Sequence, residues 1–175
     1  MKPLLAAAAA ATIAFFAGAA AAQSPNDAQI ASIVVTANQV DIDAGKMAES
    51  KSHNPEVKAF GKQMVTDHSG VNKQAVALVT KLKVKPEDNP TSESLKSGGA
   101  ENLKNLSKLS GAAFDRAYID HEVAYHEQVL DAIDKTLIPS AQNAELKNLL
   151  VSVRPAFVAH LDHAKHLQST LAGKS

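Results

Sequence analysis

Three of the chain's seven histidines fall within HLDHAKH, residues 160–166. Imidazole carries protons near neutral pH and is the commonest nitrogen ligand for transition metals, so three in seven positions suggest a metal-binding strip. Helical geometry separates them, because each residue advances ~100° around the axis. His160 continues the apolar stripe Leu146, Leu150, Val153, Phe157, Ala164, Leu167 and Leu171. His163 falls ~60° to one side and His166 ~120° away, on the rim and the surface. Only His160 demands a buried explanation.

The same test places His68 on an apolar stripe with Val57, Gly61, Met64, Val71, Ala75, Leu78 and Leu82. His126 interrupts another, Ile119, Val123, Leu130, Ile133 and Leu137. A fourth stripe, Ile30, Ile33, Ala37, Val40, Ala44 and Met47, carries no histidine but is flanked on opposite sides by Asp41 and Asp43. Inward histidines and carboxylates on facing helices are how four-helix bundles build metal sites. The candidate ligands are therefore His68, His126, His160, Glu122, Asp41, Asp43 and Asp67, and the candidate cofactor is a divalent transition metal. A plainer role stands beside this one: buried neutral histidines hydrogen-bonded to carboxylates, for which Asp67, Glu122 and Glu127 are near in sequence.

Axial heights bear on the choice. With a third helix ending at Leu137 and a fourth starting at Ala141, His68 and His126 both lie ~20 Å from a bundle end, at ~1.5 Å per residue. His160, Glu122 and the two aspartates then form a second layer ~10 Å away. The expectation is two polar layers, and no single ion held by all three histidines.

Standard catalytic patterns are missing. HEVAYH, residues 121–126, resembles a zinc-protease helix, but its histidines are five apart instead of four, which turns them ~140° from each other. The Glu-x-x-His pairs of diiron bundles are absent, since Val65, Val123 and Phe157 occupy the positions three before His68, His126 and His160. There is no cysteine, phosphate-binding glycine loop or nucleophile elbow. Tyr118 and Tyr125 are expected to carry their hydroxyls at the surface.

Four helices are needed to hold these residues: about 27–50, 55–83, 112–137 and 141–171, each with alternating steps of three and four between apolar positions. Asn54 followed by Pro55 is a start signal for the second. The links between the first pair and the last pair are short, so each pair forms an antiparallel hairpin. The polar link of residues 84–110 carries Pro86, Pro90 and Gly98-Gly99, with a short helix expected from Glu101 to Leu109. Extended chain covers ~3.3 Å per residue, so this link can travel the height of the bundle. The fold class expected is all-α, a ferritin-like four-helix bundle of two hairpins joined by a long crossover, with residues 27–172 as one domain.

The N-terminus reads as a signal peptide, residues 1–22: Lys2, an apolar run from Leu4 to Ala19, then Ala20-Ala21-Ala22 before the cut. The expected location is the periplasm or cell envelope, with no membrane span after removal. Without Lys2 the 18 basic residues become 17 against 18 acidic ones, which argues against nucleic acid as a partner. A protein partner or oligomer is not specified by these residues. An exported chain without cysteine relies on its packed core instead of disulfides.

The stretches VDIDAGKMAES, NPEVKAFGKQMVTDHSGVNKQ, LSKLSGAAFDRAYIDHEVAYHEQVL and AELKNLLVSVRPAFVAHLDHAKHL resemble successive blocks of the bacterial exported family called domain of unknown function 4142. The resemblance implies a ferritin-like bundle in the cell envelope; members are often described as outer-membrane proteins. It assigns the family's helix-2 DH to Asp67 and His68, its helix-3 histidine to His126, and its P-x-x-x-x-H to Pro155 and His160. Where the family usually carries glutamates, this chain has Asp41 and Asp43, which reach less far inward. No activity follows from such membership. Three functions remain open: a metal-binding envelope protein, a non-catalytic envelope interaction or stress-response protein with structural histidines, and a ferritin-like redox enzyme.

Overall fold

A computed structural model of the protein describes residues 24–173; the expected signal segment lies outside the described residues. Two long hairpins make the body. Helix α1 (Asp27–Lys51) is opened by a capping box between Asn26 and Gln29, and α2 (Pro55–Leu82) begins with Pro55 directly after the Asn54 cap. Helix α4 (Gly111–Ala132) runs on through a π-helical turn, Ile133–Leu137, into the short α5 (Ile138–Ser140). Helix α6 (Ala144–Ala172) starts under the Asn143 cap, whose side chain accepts from the N–H groups of Glu145 and Leu146.

The link between the hairpins is more ordered than its composition suggests. Helix α3 (Pro90–Ser107) spans 18 residues and begins well before Glu101. Asn89 accepts from Thr91 and Ser92 N–H while the Ser92 hydroxyl accepts from Asn89 N–H, a complete capping box with proline at the first turn. The paired glycines do not break the helix, because Gly99 sits against α1: a Cβ there would lie 2.7 Å from Val40 Cγ2. Close packing explains a residue that reads as a loop signal.

Helix α3 lies along α1 in the same direction, giving the lengthwise crossover. Its start is tied to the start of α1 by Glu87 N–H to Ala28 C=O at 3.1 Å and by Ser32 Oγ to Asp88 at 2.9 Å. At the far end Lys51 Nζ donates to the terminal carbonyls of Leu106 and Ser107 at 3.2 and 2.7 Å. A lysine on the last carbonyls of a helix opposes its negative dipole end. The chain therefore enters α4 at the same end of the bundle as α2, and the two run parallel.

Two apolar clusters fill the bundle. One joins Ile30, Val34, Val71, Leu130, Ile133, Leu150 and Phe157; the other joins Ala44, Ala48, Phe60, Met64, Tyr118, Val123, Ala164 and Leu167. Between the two clusters each main helix carries a polar interior residue: Asn38 and Asp41 on α1, His68 on α2, His126 on α4, His160 on α6. The seam of α1 consequently runs through Val34, Asn38, Asp41, Gly45 and Ala48, so Asp41 is on the seam and not on its flank.

Near this layer α1 and α2 approach closely. A Cβ on Gly61 would meet Ala48 Cβ at 2.8 Å and the Gly45 carbonyl oxygen at 2.9 Å, whereas one on Gly70 would meet nothing within 4 Å. Backbone cannot yield as a side-chain tip can. Gly61→Ala is therefore expected to lower stability by about 1–3 kcal/mol from overpacking, despite alanine's better helix propensity, while Gly70→Ala raises it by up to ~1 kcal/mol. Urea unfolding of both variants checks the contrast in sign.

Candidate metal centre

Each seam histidine spends one ring nitrogen on a partner at its periphery. His68 Nδ1 lies 2.7 Å from Asn38 Oδ1, and the Asn38 amide nitrogen donates to the Val34 carbonyl at 2.7 Å. With its nitrogen so used, Asn38 offers an acceptor, so His68 carries its proton on Nδ1. His126 Nδ1 lies 3.0 Å from the Glu122 carbonyl and must donate to it. His160 Nε2 donates to Asp67 Oδ2 at 2.9 Å. The other three nitrogens, His68 Nε2, His126 Nε2 and His160 Nδ1, are buried and have no hydrogen-bond partner.

The three histidines form one cluster. His68, His126 and His160 each offer a ligand atom within 4.8 Å of the others, and their ring centroids are 5.2 to 5.6 Å apart. Asp41 Oδ2 lies 2.9 Å from His68 Nε2 and 3.5 Å from His126 Nε2, yet neither Asp41 oxygen has an aligned hydrogen-bond donor. A second trio, Asp41, Glu122 and His126, meets the same 4.8 Å limit. Phe157 stacks on the His68 ring at 5.0 Å and closes the layer from the apolar side.

Electrostatics sharpens the picture. Burial pushes His126 down to about 4, against the raising effect of Asp41, and burial also lowers His160. Burial would raise Asp41, but the neighbouring His68 and His126 outweigh it and hold the carboxyl at about 2. Glu122 goes the other way: burial and then the Asp41 charge push it well above the usual carboxylate range, so it stays protonated beside an ionised partner. At neutral pH the centre holds a neutral carboxylic acid, two neutral imidazoles and one carboxylate around His68.

The expected residues divide clearly. His68, His126, His160, Glu122 and Asp41 are all at most 3% exposed and share one layer. Asp67 is an orienting partner of His160, with its own side chain 41% exposed. Asp43 is outside the centre, at the surface, accepting from Gln39 and pairing with Lys46. The structure corrects the two-layer expectation. The reversal between the last hairpin's helices occurs at 141–143, not before Ala141, so His126 stands about 14 residues before it and His160 about 16 after it. Two residues are only ~3 Å of helix, which puts both in one layer.

Sequence reasoning missed Asn38 and misplaced the tyrosines. Asn38 precedes Asp41 by three residues and so shares its helix face, a usable signal for a polar interior. Tyr118 is fully buried, and burial lifts its hydroxyl well above the usual range; Tyr125 donates to the Ala37 carbonyl at 2.9 Å. Neither hydroxyl is at the surface, because both rings lie on the inward face of α4.

If Asn38 exists to orient His68, Asn38→Ala leaves a buried N–H without an acceptor and is expected to cost about 1–3 kcal/mol. Asp67→Asn keeps an acceptor in a half-exposed position and is expected to change stability by less than ~0.5 kcal/mol. Equal losses in urea titrations of the two variants would contradict the orienting role of Asn38.

Residues 14–167 match a family described as "Domain of unknown function (DUF4142)". No curated protein and no solved structure matches the chain.

Proposed function

The chain belongs to the DUF4142 family, and we propose that it is an exported helical-bundle protein that holds one divalent transition-metal ion at its centre through His68, His126, His160 and Asp41. The observation that carries this reading is the convergence of buried ligand atoms: His68, His126 and His160 each offer one within 4.8 Å of the others, and Asp41 Oδ2 lies 2.9 Å from His68 Nε2. With Nδ1 turned to Asn38, His68 Nε2 and that carboxylate oxygen need a cation between them, a metal ion or a second proton.

A metal ion answers this directly. Ligating histidines characteristically donate their second N–H to a carboxylate, carbonyl or amide oxygen, and all three seam histidines do so. Three imidazoles and a carboxylate form a tetrahedral set suited to zinc and neighbouring first-row metals. Ligand nitrogens ~2 Å from a shared ion stand about 3.3 Å apart, so the side chains close in by at most ~1.5 Å. Bound there, the ion would cross-link three of the four main helices through histidine and the fourth through Asp41. Protonated Glu122 stands by as a group that can ionise when positive charge arrives.

The export half of the proposal rests on the Lys2 to Ala22 segment. Among the described residues no helix is long and apolar enough to cross a membrane. A second reading has one observation in its favour: a proton on His68 Nε2 would also relieve the 2.9 Å contact, giving a buried imidazolium–aspartate pair with a purely structural role. A ferritin-like diiron oxidase is the least supported, because the Glu-x-x-His pairs are missing.

Elemental analysis of protein purified without added chelator is expected to find about one metal equivalent per chain, lost in His126→Ala. Zinc at 100 times its Kd should stabilise the bundle by about 2.7 kcal/mol, and chelation should reverse the shift in melting temperature. No metal and no zinc-dependent shift would leave only the structural pair. Separately, mass spectrometry of protein recovered from the periplasm is expected to give a chain starting at Gln23; an intact Met1 would argue against export.

A further inference from the structure

Beside its histidines the central layer has an oxygen side. Tyr118, Glu122 and His126 are spaced four apart on α4, so their side chains follow one another along its inward face, and Asp41 of α1 stands opposite, 3.5 Å from His126 Nε2. All four residues are at most 1% exposed. Asp41, Glu122 and His126 bring one ligand atom each within 4.8 Å of the others.

Five oxygens in this group have no aligned hydrogen-bond partner: Oδ1 and Oδ2 of Asp41, Oε1 and Oε2 of Glu122, and the Tyr118 hydroxyl. Buried polar atoms are normally satisfied, and a Glu122 proton shared with Asp41 engages only two of the five. Burial, and then the carboxyls of Glu122 and Asp41, hold the proton on Tyr118. The hydroxyl therefore lies in the field of both carboxyls, a field that resists a further negative charge and attracts a cation.

The donors identify the kind of cation. Five oxygens and the His126 nitrogen make six, the octahedral number, and carboxylate and phenolate oxygens are hard ligands. As anions, Asp41, Glu122 and Tyr118 carry one negative charge each, so a trivalent ion neutralises the set, whereas a divalent one leaves buried charge unpaired.

We infer that Asp41, Glu122, Tyr118 and His126 form an alternative metal site that takes ferric iron. His126 and Asp41 serve this site and the histidine site alike, so the two ions exclude each other. Binding releases the Glu122 and Tyr118 protons to solvent, and the iron stays ferric throughout. The inference stands apart from the zinc reading, because His68 and His160 belong to that site alone, and Glu122 and Tyr118 to this one alone.

Titration of the purified chain with ferric citrate tests this by colour, since phenolate bound to ferric iron gives a visible charge-transfer band that carboxylate and imidazole ligands do not. The chain has two tyrosines, and the Tyr125 hydroxyl is spent on the Ala37 carbonyl. The band is expected in the intact protein and is lost in Tyr118→Phe, which removes a hydroxyl without a partner and leaves zinc binding unchanged. His68→Ala is expected to do the reverse, weakening zinc by about tenfold or more while keeping the band. Should that variant not fold, His160→Gln takes its place. Absence of the band, or a band that survives Tyr118→Phe, overturns the site. Iron and zinc held together in one chain overturn the shared use of His126 and Asp41. If the chain takes up no zinc, the histidine reading fails and the colour still decides this one.

Discussion

The bundle is organised around one electrostatic demand: an ionised aspartate and three imidazoles sealed from water. Buried charge is tolerable only when paired. Around Asp41 every other group has adjusted to that charge. Glu122 keeps its proton beside it, burial keeps His126 neutral in spite of it, and the peripheral nitrogen of each histidine is tied to an oxygen.

The rest of the fold serves to keep this layer in place and dry. Apolar clusters lie above and below it, one around Leu150 and the other around Phe60. The α1–α2 contact at Gly45 and Gly61 brings two helices close beside the layer, holding Asp41 near His68. Helix α3 closes the outer face of α1 and is anchored at both ends, by Ser32 and Asp88 at one and Lys51 at the other. A mainly apolar cleft lined by Ile33, Leu95, Val129 and Ile133 lies beside it. Tight packing in the layer and loose packing beside it are thus separate properties of neighbouring segments.

A centre of this composition differs from carboxylate-bridged dinuclear sites. Those take most of their ligands from glutamates, which tolerate changes in metal charge, whereas three imidazoles and one short aspartate suit a single ion of constant charge. The close approach of α1 and α2 at Gly45 and Gly61 accompanies the short reach of Asp41 to His68. What the resemblance to the family left open about Asp41 is answered by its position on the seam; Asp43, two residues on, is turned to solvent.

Much of this was legible in the sequence. The three-four periodicity gave four helices, the short links gave two hairpins, and one histidine per seam identified His68, His126 and His160 before any coordinates. Family membership was readable from the blocks around VKAFGKQMVTDHS and GAAFDRAYIDHEVAYH. These signals are local: they depend on spacing within one helix, which the backbone repeat converts directly into a face. The axial meeting of the histidines, by contrast, depends on where a turn reverses, and an error of three residues at one turn enters twice and becomes ~10 Å. Helix α3 was hidden because its glycine pair signals a loop until Val40 lies against it. Which nitrogen of each histidine faces inward depends on Asn38, Asp67 and a backbone carbonyl, two of them on other helices. Sequence alone determined which residues face the interior; only the tertiary structure, by setting helix ends and contacts between helices, decided that they share one layer around one carboxylate.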